Sequence, residues 1–233
     1  MTLRTLKVLA SLLIIGCVAR GATDDQARLP VIVGSAYPNQ ASGSLVSAIS
    51  RTDAAAKAST GRGRLMRLYQ GVVAGPDTGK YYATIEADSF ADITAATNLA
   101  HKLLARETAD AAFFTWHGGS VALKAEYYEG DYDGEWVYLT FAHVTNDPAY
   151  LQAMRDGRVL FDAHGLKDIK INLYKVSLGR SEVTHEVAIC APTEERIHAL
   201  MDAMSAPWIA GWLSSLPKMR SIVSNGLYHD IVP

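Results

Sequence analysis

A chain of 233 residues, 49% of them apolar, can bury a substantial core as one large domain or two small ones, which excludes a disordered chain. Its 22 Lys and Arg against 24 Asp and Glu leave a net charge of −2, so nothing electrostatic calls for a nucleic-acid partner. With cysteine only at Cys17 and Cys190, a disulfide framework is excluded as well.

Residues 1–22 read as a secretory leader. Arg4 and Lys7 give a basic start, and Val8 to Gly16 form an apolar run short of the roughly 20 residues a spanning helix needs. Ile14-Ile15-Gly16-Cys17 resembles the lipobox of bacterial lipoproteins, which would make Cys17 the lipidated first residue of the mature chain. A cut after Gly21, served by the small residues Ala19 and Gly21, competes with it, and an uncleaved anchor is the third option. All three imply an exported protein, periplasmic or tethered to a bacterial envelope, with residues 23–28 as a polar tether. Cys190, in the apolar stretch Val187-Ala188-Ile189-Cys190, reads as a buried and inert thiol.

From Leu29 onward, short β-type runs alternate with helical patterns. Val31 to Ala36 predicts a strand and Ser44 to Lys57 a helix. Arg67 to Val73 and Tyr81 to Ala87 predict two strands around the Gly- and Pro-bearing hairpin loop 74–79. Ser89-Phe90-Ala91-Asp92 resembles a capping box that opens a long helix, and Val121 to Tyr128 closes the unit. The order then recurs: strand Trp136 to Val144, a helix capped by Asp147 with Pro148 in its first turn, strands Ile169 to Ser177 and Val183 to Ala191, a helix from Thr193 interrupted near Pro207 and Pro217, and strand Ile222 to His229. Leu68-Tyr69 and Leu173-Tyr174 correspond at a spacing of 105 residues, and Ser89 and Thr193 at 104.

The predicted class is α+β, with two fused ferredoxin-like βαββαβ repeats at 29–132 and 133–233. This element order, with its tyrosine-ended second strand and Gly-Pro hairpin, resembles the dimeric α+β barrel superfamily. That superfamily includes small monooxygenases, isomerases, polyketide cyclases and haem-using chlorite-dismutase relatives. The resemblance implies an intrachain barrel in which each half covers the other's sheet, with helices outside.

No established catalytic motif is present. Gly61-Arg62-Gly63-Arg64 reads as a basic turn, and the acidic segment Glu126 to Glu135 as a solvated linker between the units. The strand pairing of a ferredoxin-like sheet predicts His143 beside His185, a pair suited to proton transfer and taken as the candidate catalytic residues; no metal site is expected. Tyr69, Tyr81, Trp116, Tyr138, Tyr174 and Trp212 are the candidate substrate-binding residues, because aromatics in such barrels line clefts that take flat apolar ligands. Trp116-His117 bears a thin likeness to haem-degrading members, so haem is a minor option beside an expectation of no cofactor.

The function inferred from these residues is an exported barrel protein that binds a small apolar or aromatic molecule, with cofactor-independent chemistry of the oxygenase, isomerase or cyclase type open to it. A non-enzymatic, lipid-tethered binding or assembly module is the alternative. No nucleic acid is expected, and a membrane is met only through an N-terminal lipid at Cys17; self-association stays open.

Overall fold

The computed structural model describes residues 30–37, 43–60, 66–92, 94–95, 98–99, 102, 121–179 and 182–232. The leader with Cys17, the Gly61–Arg64 turn, His101, Trp116 and His117 lie outside the described residues.

Eight strands form one closed antiparallel barrel: β1 (Val31–Tyr37), β2 (Met66–Val73), β3 (Tyr81–Ala87), β4 (Val121–Tyr127), β5 (Trp136–Val144), β6 (Lys170–Leu178), β7 (His185–Ala191) and β8 (Arg220–Asp230). Around the barrel they run β1-β3-β2-β8-β5-β7-β6-β4. The first four strands therefore stand in the order β4-β1-β3-β2 and the last four as β8-β5-β7-β6. The seams are β2 against β8 and β4 against β6, so main-chain hydrogen bonds close the sheet and leave no edge there.

Four helices described along their whole length pack outside: α1 (Gly43–Thr60), α2 (Asp147–Ala163), α3 (Glu194–Ala203) and α4 (Ala210–Ser215). The two helical starts expected from Ser89 and Thr193 carry the expected hydroxyl caps, on Asp92 N at 3.3 Å and Arg196 N at 3.3 Å. At α2 the cap is Asn146, whose side chain accepts from Ala149 N, and not Asp147. Asp147 is the first helical residue, where its charge still meets the positive helix end. The chain breaks between α3 and α4 around Pro207 and again at the 3₁₀ turn Leu216–Lys218, where Pro217 cannot continue a helix. No described helix is long and apolar enough to cross a membrane.

Strand alternation sends one set of side chains into the barrel and the other beneath the helices. Outward residues Ala142, Ile171, Leu173, Val187 and Ile189 form a core with Tyr150, Met154 and Phe161 of α2, Ile197 and Leu200 of α3, and Trp212 of α4. The buried positions of α2 fall at 150, 153, 154, 157 and 161, a single helical stripe. Inward residues Leu123, Val137, Leu139, Tyr174 and Ala188 fill the barrel with Tyr69 and Tyr228. α1 covers the first half through Ile49 and Ala56 against Met66, Leu68 and Ile85. Its Asp53 carboxylate accepts from Met66 N at 2.9 Å, fixing where β2 begins.

Two glycines permit close approaches. A Cβ on Gly71 would sit 2.5 Å from the carbonyl oxygen of Asp77, where the β2–β3 loop folds back and Gly79 N donates to Gly71 O at 2.8 Å. A Cβ on Gly157 would sit 2.8 Å from Cζ2 of Trp212, whose ring lies on that bare stretch of α2.

The acidic segment between the halves is not a solvated linker. Glu135 is 1% exposed, and Glu129 accepts from Ile171 N at 2.6 Å while its own N donates to Asn172 Oδ1 at 2.8 Å. The segment caps one end of the barrel because its carboxylates meet strand-end donors and one interior cation.

Candidate functional site

That cation is Arg67, on the inward face of β2 and 8% exposed. Its guanidinium bonds Tyr132 O at 2.7 Å and pairs with Asp131 at 2.8 Å and Asp230 at 3.2 Å. Burial alone would lower its pKa, but Tyr69, Asp131, Glu135 and Asp230 around it raise it, so it stays charged. Glu135 accepts from Tyr69 Oη at 2.7 Å and Tyr132 N at 2.9 Å; burial nevertheless pushes it up to about 7. Glu86 of β3 also faces the lumen, and burial, with Asp131 nearby, lifts it to about 7. The space these groups enclose is about 30 Å³. It has room for a water and none for an organic ligand.

Glu86 makes a pH prediction. Its folded value of about 7 lies above its ordinary 4.5, so the folded state holds a proton that the unfolded chain releases, and stability falls as pH rises from 4.5 through 7. Glu86→Gln should therefore stabilise the protein by about 1–2 kcal/mol at pH 8, after discounting for solvent screening. At pH 4.5 the gain should vanish, as thermal unfolding at the two pH values would show.

The expected histidine pair does not form. β5 and β7 are antiparallel neighbours, as the sequence implied, but the residue opposite His185 is Ala142. His143 is one position on, so it points to the other face and is exposed, whereas His185 is 1% exposed beneath α2. His185 Nδ1 lies 3.0 Å from the Thr184 hydroxyl, and Nε2 lies 3.4 Å from Glu126 without hydrogen-bond alignment. Burial lowers its pKa below the ordinary 6.5, against the pull of Asp147 and Glu126. It is a neutral core residue at pH 7, edge-on to the Tyr150 ring at a centroid distance of 6.0 Å.

A ligand-sized space lies between the outward face of the β5–β7–β8 sheet and the helices. This cleft encloses about 710 Å³, within the range of small-molecule sites. Tyr138, Thr140, Val187 and Ile189 form its floor. Met154 of α2, Met201 of α3, Met204 at the end of α3 and Trp212 of α4 form the roof, and Arg220, Ser221 and Ile222 at the start of β8 also line it. Three methionines give it an adaptable wall. Trp212 is held by its indole N–H, which donates to Ala153 O at 2.6 Å, and by Phe161 edge-on at 6.0 Å. Tyr138 Oη accepts from Asn225 Nδ2 at 2.9 Å.

Of the five described aromatic candidates, Tyr138 and Trp212 line this cleft. Tyr69 and Tyr174 face the lumen instead, since each follows an outward leucine on its strand. Tyr81 packs against the α1 cluster, and Trp116 lies outside the described residues. No described histidine lines either space. Cys190 is 1% exposed, and burial raises its pKa, keeping it a thiol. Sequence reasoning missed the methionine roof and Arg220. The methionines at 201 and 204 carried a usable signal, their three-residue helical spacing, whereas a lone arginine ahead of a strand carried none.

No family model matches the sequence, and no curated protein matches it. Among solved structures the chain is similar to a candidate monooxygenase from Fusobacterium nucleatum subsp. nucleatum, with 10% identity and a TM-score of 0.57 over 89% of this chain and 94% of that one. A second candidate monooxygenase, from Lactobacillus acidophilus, is similar at 7% identity and a TM-score of 0.52, covering 87% and 93%. An anthrone oxidase-like protein is similar at 12% identity and a TM-score of 0.51, covering 88% and 92%. At such identities the likeness is one of fold. What they share with this chain is its architecture, a closed eight-stranded antiparallel barrel with helices outside.

Proposed function

We propose that this protein binds a small, apolar, flat or chain-like molecule in the cleft beneath α3 and α4. The observation that carries it is an apolar space of about 710 Å³ beside a barrel whose lumen is filled. The methionine roof and the Trp212 ring suit an apolar ligand body. Structural similarity to candidate monooxygenases and an anthrone oxidase-like protein supports an oxygenase-type enzyme acting on that ligand. The separation of His143 from His185 speaks for simple binding, or for chemistry that uses other groups. The shared 4-1-3-2 strand order of the two halves supports two fused repeats, and the leader supports an exported, envelope-located protein.

Ligand-observed NMR and thermal shift with naphthols, quinones and aliphatic chains test the binding. Hits are expected, and Met204→Trp, which fills the cleft, should weaken them about tenfold or more with a folded variant. Absence of binding across the panel, or binding indifferent to Met204→Trp, would overturn the proposal. Oxygen consumption with the bound phenols then separates an oxygenase from a binder.

A further inference from the structure

We infer that the ligand of the cleft is an amphipathic carboxylate whose anionic head pairs with Arg220. The inference rests on the binding function proposed above and adds the chemical class of the ligand. Among the described residues, Arg220 is the only charged one lining the cleft. It is half-buried, at the first position of β8, and among the described residues it has no carboxylate within ion-pair distance. The other buried or half-buried arginines behave differently. Arg67, Arg158 and Arg196 each pair with aspartate or glutamate.

What holds Arg220 is a neutral partner. Its Nη1 donates to the hydroxyl of Tyr150, and its guanidinium carbon lies 5.3 Å from the centre of that ring. Tyr150 is 0% exposed and cannot turn away. A guanidinium carries five N–H donors in a planar fork, and the tyrosine takes one. Arg220 lines a site whose other walls are mainly methionine, leucine, isoleucine, valine and tryptophan, with Tyr138, Thr140 and Ser221 the polar members among the described residues. A cation at the border of such a site carries a desolvation cost that a ligand anion relieves, and the fork matches a carboxylate in particular. An apolar body on the methionine roof with a carboxylate at Arg220 satisfies both parts of the lining; an alcohol or an amine of the same shape satisfies one.

Isothermal titration at pH 8 with dodecanoate, 1-dodecanol, dodecylamine and 2-naphthoate tests this. Dodecanoate should bind at least about tenfold more tightly than dodecanol, dodecylamine should bind most weakly, and Arg220→Gln should remove the preference for the acid by about tenfold or more while leaving dodecanol within about twofold. Naphthoate against dodecanoate distinguishes aromatic from aliphatic acids. Tyr150→Phe keeps the ring and frees the guanidinium, so it should weaken the acid less than Arg220→Gln does. Equal binding of acid and alcohol, or an Arg220→Gln variant with wild-type affinity for the acid, would overturn the carboxylate assignment and leave the cleft as a general apolar site. If none of the four compounds binds while a naphthol or quinone does, the carboxylate assignment falls and the binding function stands; if nothing in either panel binds, both fall.

Discussion

Arg67→Met is expected to destabilise the protein by about 3–5 kcal/mol at neutral pH, because it removes one partner of a buried ion cluster and leaves the others in place. Asp230 and Glu135 are 2% and 1% exposed, and the guanidinium lies 3.2 Å from the first and 3.9 Å from the second. Methionine restores most of the stem's packing but supplies neither the charge nor the bond to Tyr132 O. The uncompensated carboxylates would then take up protons more readily, so acidification should recover part of the loss. Urea unfolding of both proteins at pH 7.5 and pH 5 measures this, with the gap expected to narrow at the lower pH. A loss below about 1 kcal/mol, or a gap independent of pH, would mean that the cluster is solvated and that the segment Tyr128–Glu135 does not seal the barrel. In the intact protein that segment closes one end of the lumen with buried polar groups, and ligand-sized space lies instead in the outer cleft.

The element order was readable because helices and strands announce themselves locally. Ser89 and Thr193 cap where their hydroxyls and the following acidic residues said they would, and the strand neighbours Trp136–Val144 and Val183–Ala191 are neighbours in space. Which face of a strand is which was not readable. β7 is buried at all seven positions, since its inward side faces the filled lumen and its outward side the helices. Without a solvent face there is no polar–apolar alternation to set parity, and an error of one residue moved His143 to the wrong side. The same ambiguity split the aromatic set: Tyr69 and Tyr174 follow Leu68 and Leu173, and either member of each pair was an equally good candidate for the cleft. The acidic linker was misread for a different reason. Its carboxylates are charged in sequence and look solvated, but their partners, the Arg67 guanidinium 2.8 Å from Asp131 and Ile171 N donating to Glu129 at 2.6 Å, are visible only once the barrel closes.

Trp212→Ala should cost about 3–5 kcal/mol, the range for truncating a large buried aromatic. It removes the ring that stacks edge-on to Phe161, the bond from its N–H to Ala153 O, and one wall of the cleft. Ligand affinity should fall with it. Gly157 tells the ring's structural role from a general packing effect. In a helix interior, Gly→Ala ordinarily gains up to about 1 kcal/mol. Here the added Cβ would meet Cζ2 of Trp212 at 2.8 Å, and such overpacking costs about 1–3 kcal/mol, so Gly157→Ala alone should be neutral to destabilising. In a Trp212→Ala background the obstruction is gone, and the same substitution should become stabilising. The sign reversal across this double-mutant cycle, read from urea midpoints, measures the contact directly. Equal effects in both backgrounds would mean that the indole does not rest on α2, and the roof of the proposed ligand site would have to be drawn without it.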